Sequence, residues 1–421
     1  MSQDLGKAIR YFRIKANMTQ SELAKGIISE SYLSKIENGR VKIPMDIYLL
    51  LCEKIGVDPY SNEDSDFPKI CNRWFIYLLN KNIEKSTEIY NKVILHNKNI
   101  LHNNLYHFIE IFKLRYFNII DEDDKAKKQI VFLKNIEKDF NEKEKFYWLK
   151  FSGDHYFAQK NYQKSFNLYE LAKKYSSFVS KKNEFSLYYM VALTASKLRR
   201  TNYSIKYAKK ALNYYRVQYD LKNCAECHIL LGISYQRNSD FDHAIQNYKI
   251  ALNIAKEIGD SNILAICKQN FGKIYSVLGQ SDKAIEFYLK SYDVRKNASV
   301  TKKIIPISSL MKEYYKNGDL LEAKMWMEKG RELSKQLSDS YSNYTYEFQV
   351  YDYLINKNEK ELINIINNKI LPSLSRKNLK YEKHYYLKLL GDYYFEQRKY
   401  KLASMYYKYS IDKLNEAYRI K

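Results

Sequence analysis

Helix breakers are scarce in this chain. Twelve glycines and five prolines among 421 residues fall far below ordinary usage, which argues against sandwiches, barrels and disordered linkers. Cysteine is equally sparse. The five thiols (Cys52, Cys71, Cys224, Cys227, Cys267) are odd in number and unevenly spaced, as expected of a reduced, cytoplasmic protein rather than a disulfide scaffold. No window approaches the ~18 apolar residues of a membrane span, so no membrane partner is expected. Residues 1–13 lack the apolar core and small-residue cleavage site of a signal peptide. What is abundant is apolar and aromatic: 45% hydrophobic residues, 42 of them tyrosines, enough for a large core in two or three domains. An all-α protein is the default.

Positive charge is also abundant, at net +23, and favours acidic partners such as nucleic acid. Its distribution does not mark a DNA-binding segment. Residues 1–62 carry nine basic and seven acidic side chains, which leaves +21 for the remainder. Pattern has to locate the segment instead.

Residues 2–57 read as a string of short helices. Leu5, Ala8, Ile9 and Phe12 share one face of a first helix that ends near Lys15. Thr19-Gln20-Ser21-Glu22 is a capping box that starts a second, with Leu23 and Ala24 inward. Ser29 caps a third over 30–38, carrying Leu33 and Ile36, and Gly39 stops it. Pro44 suits the first turn of a fourth, with Ile47, Leu50, Leu51 and Ile55 as its apolar face. Two short helices joined by a tight turn and braced by neighbours make a helix-turn-helix. The string from Thr19 to Gly39 resembles the lambda-repressor-like DNA-binding family, with one departure: the turn from Lys25 to Glu30 is one residue shorter than usual.

The docking mode of that family implies that the third helix enters the major groove. Ser29, Glu30, Ser31, Tyr32 and Lys35 would then face base edges, and Gln20, Arg10, Arg13 and Arg40 would contact phosphates. Glu30 also suits the helix start through the dipole, and Arg10 and Arg13 also read as solvated charges.

Residues 56–68 (GVDPYSNEDSDFP) concentrate proline and acid and mark a boundary, which gives domains at 1–60 and 71–421 with a linker at 61–70. Beyond it the chain repeats. L231-G232-x-x-Y235…A244-x-x-x-Y248-x-x-A251 matches F271-G272-x-x-Y275…A284-x-x-x-Y288-x-x-S291, and related copies begin around Gly153 and Gly391. Anchors at 74, 114, 153, 192, 232, 272, 311, 351 and 391 are spaced by 39 or 40 residues. Small residues at the anchor and twelve positions later let two helices approach, and large tyrosines three and sixteen later fill the space around them. One such hairpin cannot bury its apolar face alone, so neighbours stack into a superhelix. The pattern resembles the tetratricopeptide repeat with longer helices. The fold expected is a helix-turn-helix followed by a right-handed superhelix of about nine hairpins.

The first helix of each hairpin lines the concave side in that architecture. Asn270, just before Phe271-Gly272, sits where such domains place an amide that grips a peptide backbone. Arg237, Gln269, Lys273, Lys312 and Lys316 lie along the same face and suit a short peptide bearing a carboxylate. Lysine is common throughout this chain, so each of these also reads as an ordinary surface charge.

Catalytic and metal signals are weak. Cys224-x-x-Cys227-His228 matches a haem-attachment string but opens a helix of the clearest repeat, with His228 at a core position. The other histidines show no zinc spacing, Asp121–Asp124 falls at an inter-helix turn, and no phosphate-binding glycine loop is present. Neither an enzyme nor a cofactor nor a metal is expected.

Taken along its whole length, the chain resembles the RRNPP family of peptide-responsive quorum-sensing regulators, its NprR-type members above all. The resemblance implies a cytoplasmic receptor, a homodimer or higher homo-oligomer, that binds a palindromic operator in double-stranded DNA and is controlled by a short signalling peptide in the concave groove. The related Rap proteins imply an alternative, in which the repeats sequester a protein partner such as a sporulation phosphorelay component.

Overall fold

The computed structural model describes residues 2–57, 66–95, 105–337, 342–376 and 379–418, arranged in two compact units, Met1–Glu184 and Phe185–Lys421. Every regular element among the described residues is helical.

The first unit opens with α1 (Ser2–Lys15), α2 (Gln20–Ala24), α3 (Glu30–Glu37) and α4 (Met45–Ile55). The caps form as the side chains dictate. Thr19 Oγ1 accepts from the Glu22 amide at 3.1 Å, the Glu22 carboxylate accepts from the Thr19 amide at 2.7 Å, and Ser29 Oγ accepts from the Tyr32 amide at 3.2 Å. The shortened turn between α2 and α3 passes through Gly26 at φ +83°, a conformation that strains any side chain with a Cβ. Ile9, Phe12, Leu23, Ala24, Leu33 and Ile36 form the core of this helical cluster.

α4 differs from its sequence reading. Its buried face is Tyr48, Leu51 and Cys52, while Leu50 is 49% exposed. A residue one step from Leu51 lies about 100° around the helix, so Leu50 and Leu51 cannot both point inward, and the amphipathic Tyr48 takes the inner place.

Nine hairpins follow among the described residues. The first unit holds α5 (Phe67–Leu79) with α6 (Ile83–Ile89), α7 (Tyr106–Ile119) with α8 (Asp123–Ile136), and α9 (Glu142–Ala158) with α10 (Tyr162–Lys173). α11 (Lys181–Lys197) leads into the second unit and pairs with α12 (Thr201–Val217). Then come α13 (Leu221–Arg237) with α14 (Phe241–Glu257), α15 (Ser261–Val277) with α16 (Ser281–Val294), and α17 (Val300–Lys316) with α18 (Leu320–Ser334). α19 (Ser342–Ile355) pairs with α20 (Glu359–Ile365), which runs on into α21 (Leu371–Arg376), and α22 (Lys380–Glu396) with α23 (Tyr400–Tyr418) closes the series.

Every anchor residue lies on the first helix of its hairpin and is buried. The glycine anchors explain the tyrosine sixteen residues on. A Cβ placed on Gly153 or Gly272 would stand 2.5 Å from the ring of Tyr169 or Tyr288, and one on Gly391 would stand 2.6 Å from Tyr407. The ring packs against bare backbone, and its hydroxyl stays satisfied: Tyr169 and Tyr407 donate to Asp154 and Asp392 at 2.7 and 2.8 Å. Where the anchor is a large aromatic, the second helix changes instead. Opposite Trp74 and Tyr351 the helix opens into a π turn, at Tyr90–Ile94 and Ile366–Ile370, stretches that take in the sixteenth position.

The helix-turn-helix does not stand apart from the repeats that follow it. Tyr11 of α1 is 3% exposed, donates to Glu110 of α7 at 2.9 Å and packs its ring 4.8 Å from that of Tyr106. Arg10 pairs with Asp139 just beyond α8 at 3.2 Å. The sequence boundary is thus crossed by packing within the first unit, and residues 58–65 of the acidic linker lie outside the described residues.

Candidate functional site

The residues expected at DNA fall into two groups. Ser29, which caps α3, and Glu30, Ser31 and Lys35 on it are exposed, Tyr32 is half-buried, and Arg40 is exposed beyond the helix. Their shared exposure follows from burial of the opposite side, where Leu33, Ile36 and Glu37 pack inward.

Glu37 organises the second group. Its carboxylate accepts from Arg13 Nε at 2.6 Å, Arg13 Nη2 at 2.8 Å and Gln20 Nε2 at 2.7 Å, which ties α3 to α1 and α2. Arg13 also donates to the Met18 carbonyl at 2.8 Å and is only 9% exposed. A phosphate contact does not fit that position: Arg13 is a buried brace that sets the angle of α3, whereas Gln20 is partly exposed. Arg10 keeps partial exposure while paired with Asp139. The sequence marked Glu37 as structural but did not assign Arg13 as its partner, because charges 24 residues apart carry no local pairing signal.

The residues expected at a ligand groove lie on α13, α15 and α17 of the second unit. Asn270 is 5% exposed, and its side-chain amide makes no hydrogen bond among the described residues. Neither amide atom is fully buried, so the stem is packed away while the polar tip still reaches solvent. Lys273 is one turn further along α15 and open to solvent. Its pKa is nonetheless lowered to about 8, first by desolvation and then by the charges of Arg237, Lys197 and Arg295. Those causes place four cations around one stretch of the inner helices. Arg237 donates to Ser196 Oγ at 2.8 Å.

The remaining expected residues are more occupied. Gln269 is 3% exposed and donates to Ser309 Oγ at 2.7 Å, a tie between α15 and α17, while its Oε1 is buried without a partner. Lys312 is ion-paired with Glu347 of α19. Lys316 donates to the Ser276 carbonyl at 2.7 Å and lies 3.5 Å from Glu313, which makes it an inter-repeat strut. Sequence reasoning missed Lys197, Arg295 and Glu347. Lys197 had a signal, since it stands five residues after its anchor, as Arg237 and Lys316 do. Arg295 follows the end of α16 and has no such register.

The haem-like string is packed into the array. Cys227 is fully buried, burial raises both thiol pKa values, and His228 bonds Asn247 at 2.9 Å with its own pKa lowered by desolvation.

An α3 with one exposed face on a buried frame defines a helix-turn-helix, and the hairpins that follow it define a helical-repeat protein. Comparison with known proteins agrees. The helix-turn-helix family model matches residues 9–61 and the tetratricopeptide repeat model residues 223–297. The transcriptional activator NprA of Geobacillus stearothermophilus is 31% identical over 406 residues, 94% of this chain and all of the relative. Response regulator aspartate phosphatase A of Bacillus subtilis is 27% identical over 199 residues, 46% of this chain and 52% of that protein. The crystal structure of NprR in complex with its cognate peptide NprX shares the fold, with a TM-score of 0.66 at 20% identity over 84% of this chain and 99% of that one. The chain belongs to the RRNPP family of transcriptional regulators.

Proposed function

We propose that this chain is a cytoplasmic transcriptional regulator whose binding to a palindromic operator is controlled by a short peptide held on the inner helices of its fifth to seventh hairpins. In this reading Ser29, Glu30, Ser31, Tyr32 and Lys35 meet base edges, and Gln20, Arg10 and Arg40 meet phosphates. Asn270 grips the peptide backbone, and Arg237, Lys273 and Lys312 surround its carboxylate. The chain performs no turnover. Its homodimer is the unit that matches a two-fold operator, and the peptide acts by favouring one assembly over another.

One observation carries the groove: an asparagine whose stem is buried and whose solvent-reaching amide has no protein partner, one helical turn from a lysine whose pKa is lowered to about 8. NprR, a relative in fold, was crystallised with a peptide. The test is calorimetry with synthetic peptides encoded by small open reading frames beside the gene. Micromolar or tighter binding that is lost in Asn270→Ala is expected. Binding of no peptide in that set, or binding indifferent to Asn270, counts against the groove.

A second reading, capture of a protein partner by the repeats, draws on the likeness to response regulator aspartate phosphatase A. It requires whole-chain capture of a response-regulator protein that Gln20→Ala leaves unchanged.

A further inference from the structure

An open cleft in the first unit runs between the helix-turn-helix and the second hairpin. Its lining includes Arg10, Gln20, Glu30 and Ser34 on one side, and Asn135 and Lys138 at the end of α8 on the other. The first set contains residues assigned above to DNA. The second belongs to the repeats, and nothing in the sequence pattern linked it to nucleic acid.

We infer that the DNA-binding surface continues from the helix-turn-helix onto this second hairpin, where Lys138 takes a backbone phosphate and Asn135 stands beside it. The inference rests on the reading of residues 2–57 as a DNA-binding element. Lys138 is exposed, and its ammonium makes no ion pair or hydrogen bond among the described residues. Asn135 is exposed in the same cleft. An ammonium, a guanidinium and two carboxamides along one cleft are the donor set that a phosphate backbone takes. Two acids line the cleft: Glu37 is neutralised by the bidentate Arg13 contact, and Glu30 is on α3, where it is assigned to base edges.

Placement is what makes Lys138 more than one lysine among many. Its neighbour Asp139 holds Arg10 at 3.2 Å, and Tyr11 is buried against Glu110, with Lys15 3.9 Å from the same carboxylate. These contacts fix the end of α8 beside the reading element, so DNA laid along Gln20 and Arg10 meets Lys138 without a rearrangement. The repeats would then contribute binding energy to DNA directly, and displacement of α8 from α1 would remove a phosphate contact.

The test uses the full chain and a random-sequence duplex of about 40 base pairs, with affinity measured by fluorescence anisotropy across a series of salt concentrations. Each phosphate contact contributes about 0.9 to the slope of log affinity against log salt. Lys138→Ala is therefore expected to flatten the slope by about 0.9 per bound protomer. Its affinity should fall about eightfold at ~0.1 M salt and converge with the parent near ~1 M. Lys138→Arg should restore both, and because Lys138 is exposed, neither variant should shift the melting temperature. An unchanged slope in Lys138→Ala, alongside weakened binding in Gln20→Ala, overturns the inference and leaves the DNA reading intact. Tighter binding in Lys138→Ala overturns it too, since α8 would then obstruct DNA. No binding by the parent at any salt removes the DNA reading itself, and the inference with it.

Discussion

Gly272→Ala separates packing from propensity in the repeat array. In an exposed helix interior the change is favourable, by about 1 kcal/mol, because glycine is the poorer helix former. At this anchor the new methyl would stand 2.5 Å from two ring atoms of Tyr288, against the ~3.5 Å or more of ordinary carbon contact. Tyr288 is 4% exposed, so the ring has little room to retreat, and α15 and α16 have to separate by roughly 1 Å. Overpacking of this kind costs about 1–3 kcal/mol. The net change is expected to be a loss of up to about 2 kcal/mol, opposite in sign to the propensity term. A stacked array does not unfold in one step, so a global melt dilutes a small loss confined to one hairpin. Amide exchange resolved to α15 and α16 is better: opening there should become roughly tenfold more frequent, since ~1.4 kcal/mol is a factor of ten. Tyr288→Leu in the same chain should relieve the clash, giving a non-additive double mutant. Slower exchange in Gly272→Ala would refute the reasoning, because it would mean that the ring does not rest on the glycine backbone.

Glu37→Ala leaves the Arg13 guanidinium buried without its counter-ion, at a cost of about 3–5 kcal/mol, and should abolish DNA binding together with the protection of α1 to α3 in hydrogen exchange. Preserved protection would show that the brace is dispensable. Asn270→Ala should weaken peptide binding at least tenfold, yet leave the melting temperature unchanged or raised, because the amide it removes has no protein partner; a large drop in melting temperature contradicts this. A ligand carboxylate near Lys273 favours its charged form, so peptide affinity should fall as pH rises through about 8, and binding near pH 8.5 should take up protons. Calorimetry in two buffers of different ionisation enthalpy reads that uptake, and its absence would place the carboxylate elsewhere.

The periodic features were legible because they repeat the same physics many times. The 39- or 40-residue spacing placed all nine anchors on the inner helices, and the capping box at Thr19 placed the start of α2. What escaped was long-range and unrepeated. Tyr11 looks like an ordinary helical surface residue until Glu110 and Tyr106, about a hundred residues away, close over it. Arg13 carries the same charge as Arg10, yet one is buried and the other partly exposed, and only the tertiary position of Glu37 decides which. On α4 a stretch of adjacent apolar residues left the helical phase open, and Leu50 fell on the wrong side of it.

Peptide control of DNA binding is tested most directly by a footprint on the DNA flanking the gene, at fixed salt, with and without the peptides encoded nearby. Salt is held constant because phosphate contacts make affinity steeply dependent on it. A palindromic protected site that changes when peptide is added, and no longer changes in Asn270→Ala, is the expected result. A site equally protected with every peptide, in the parent and in Asn270→Ala alike, would contradict it.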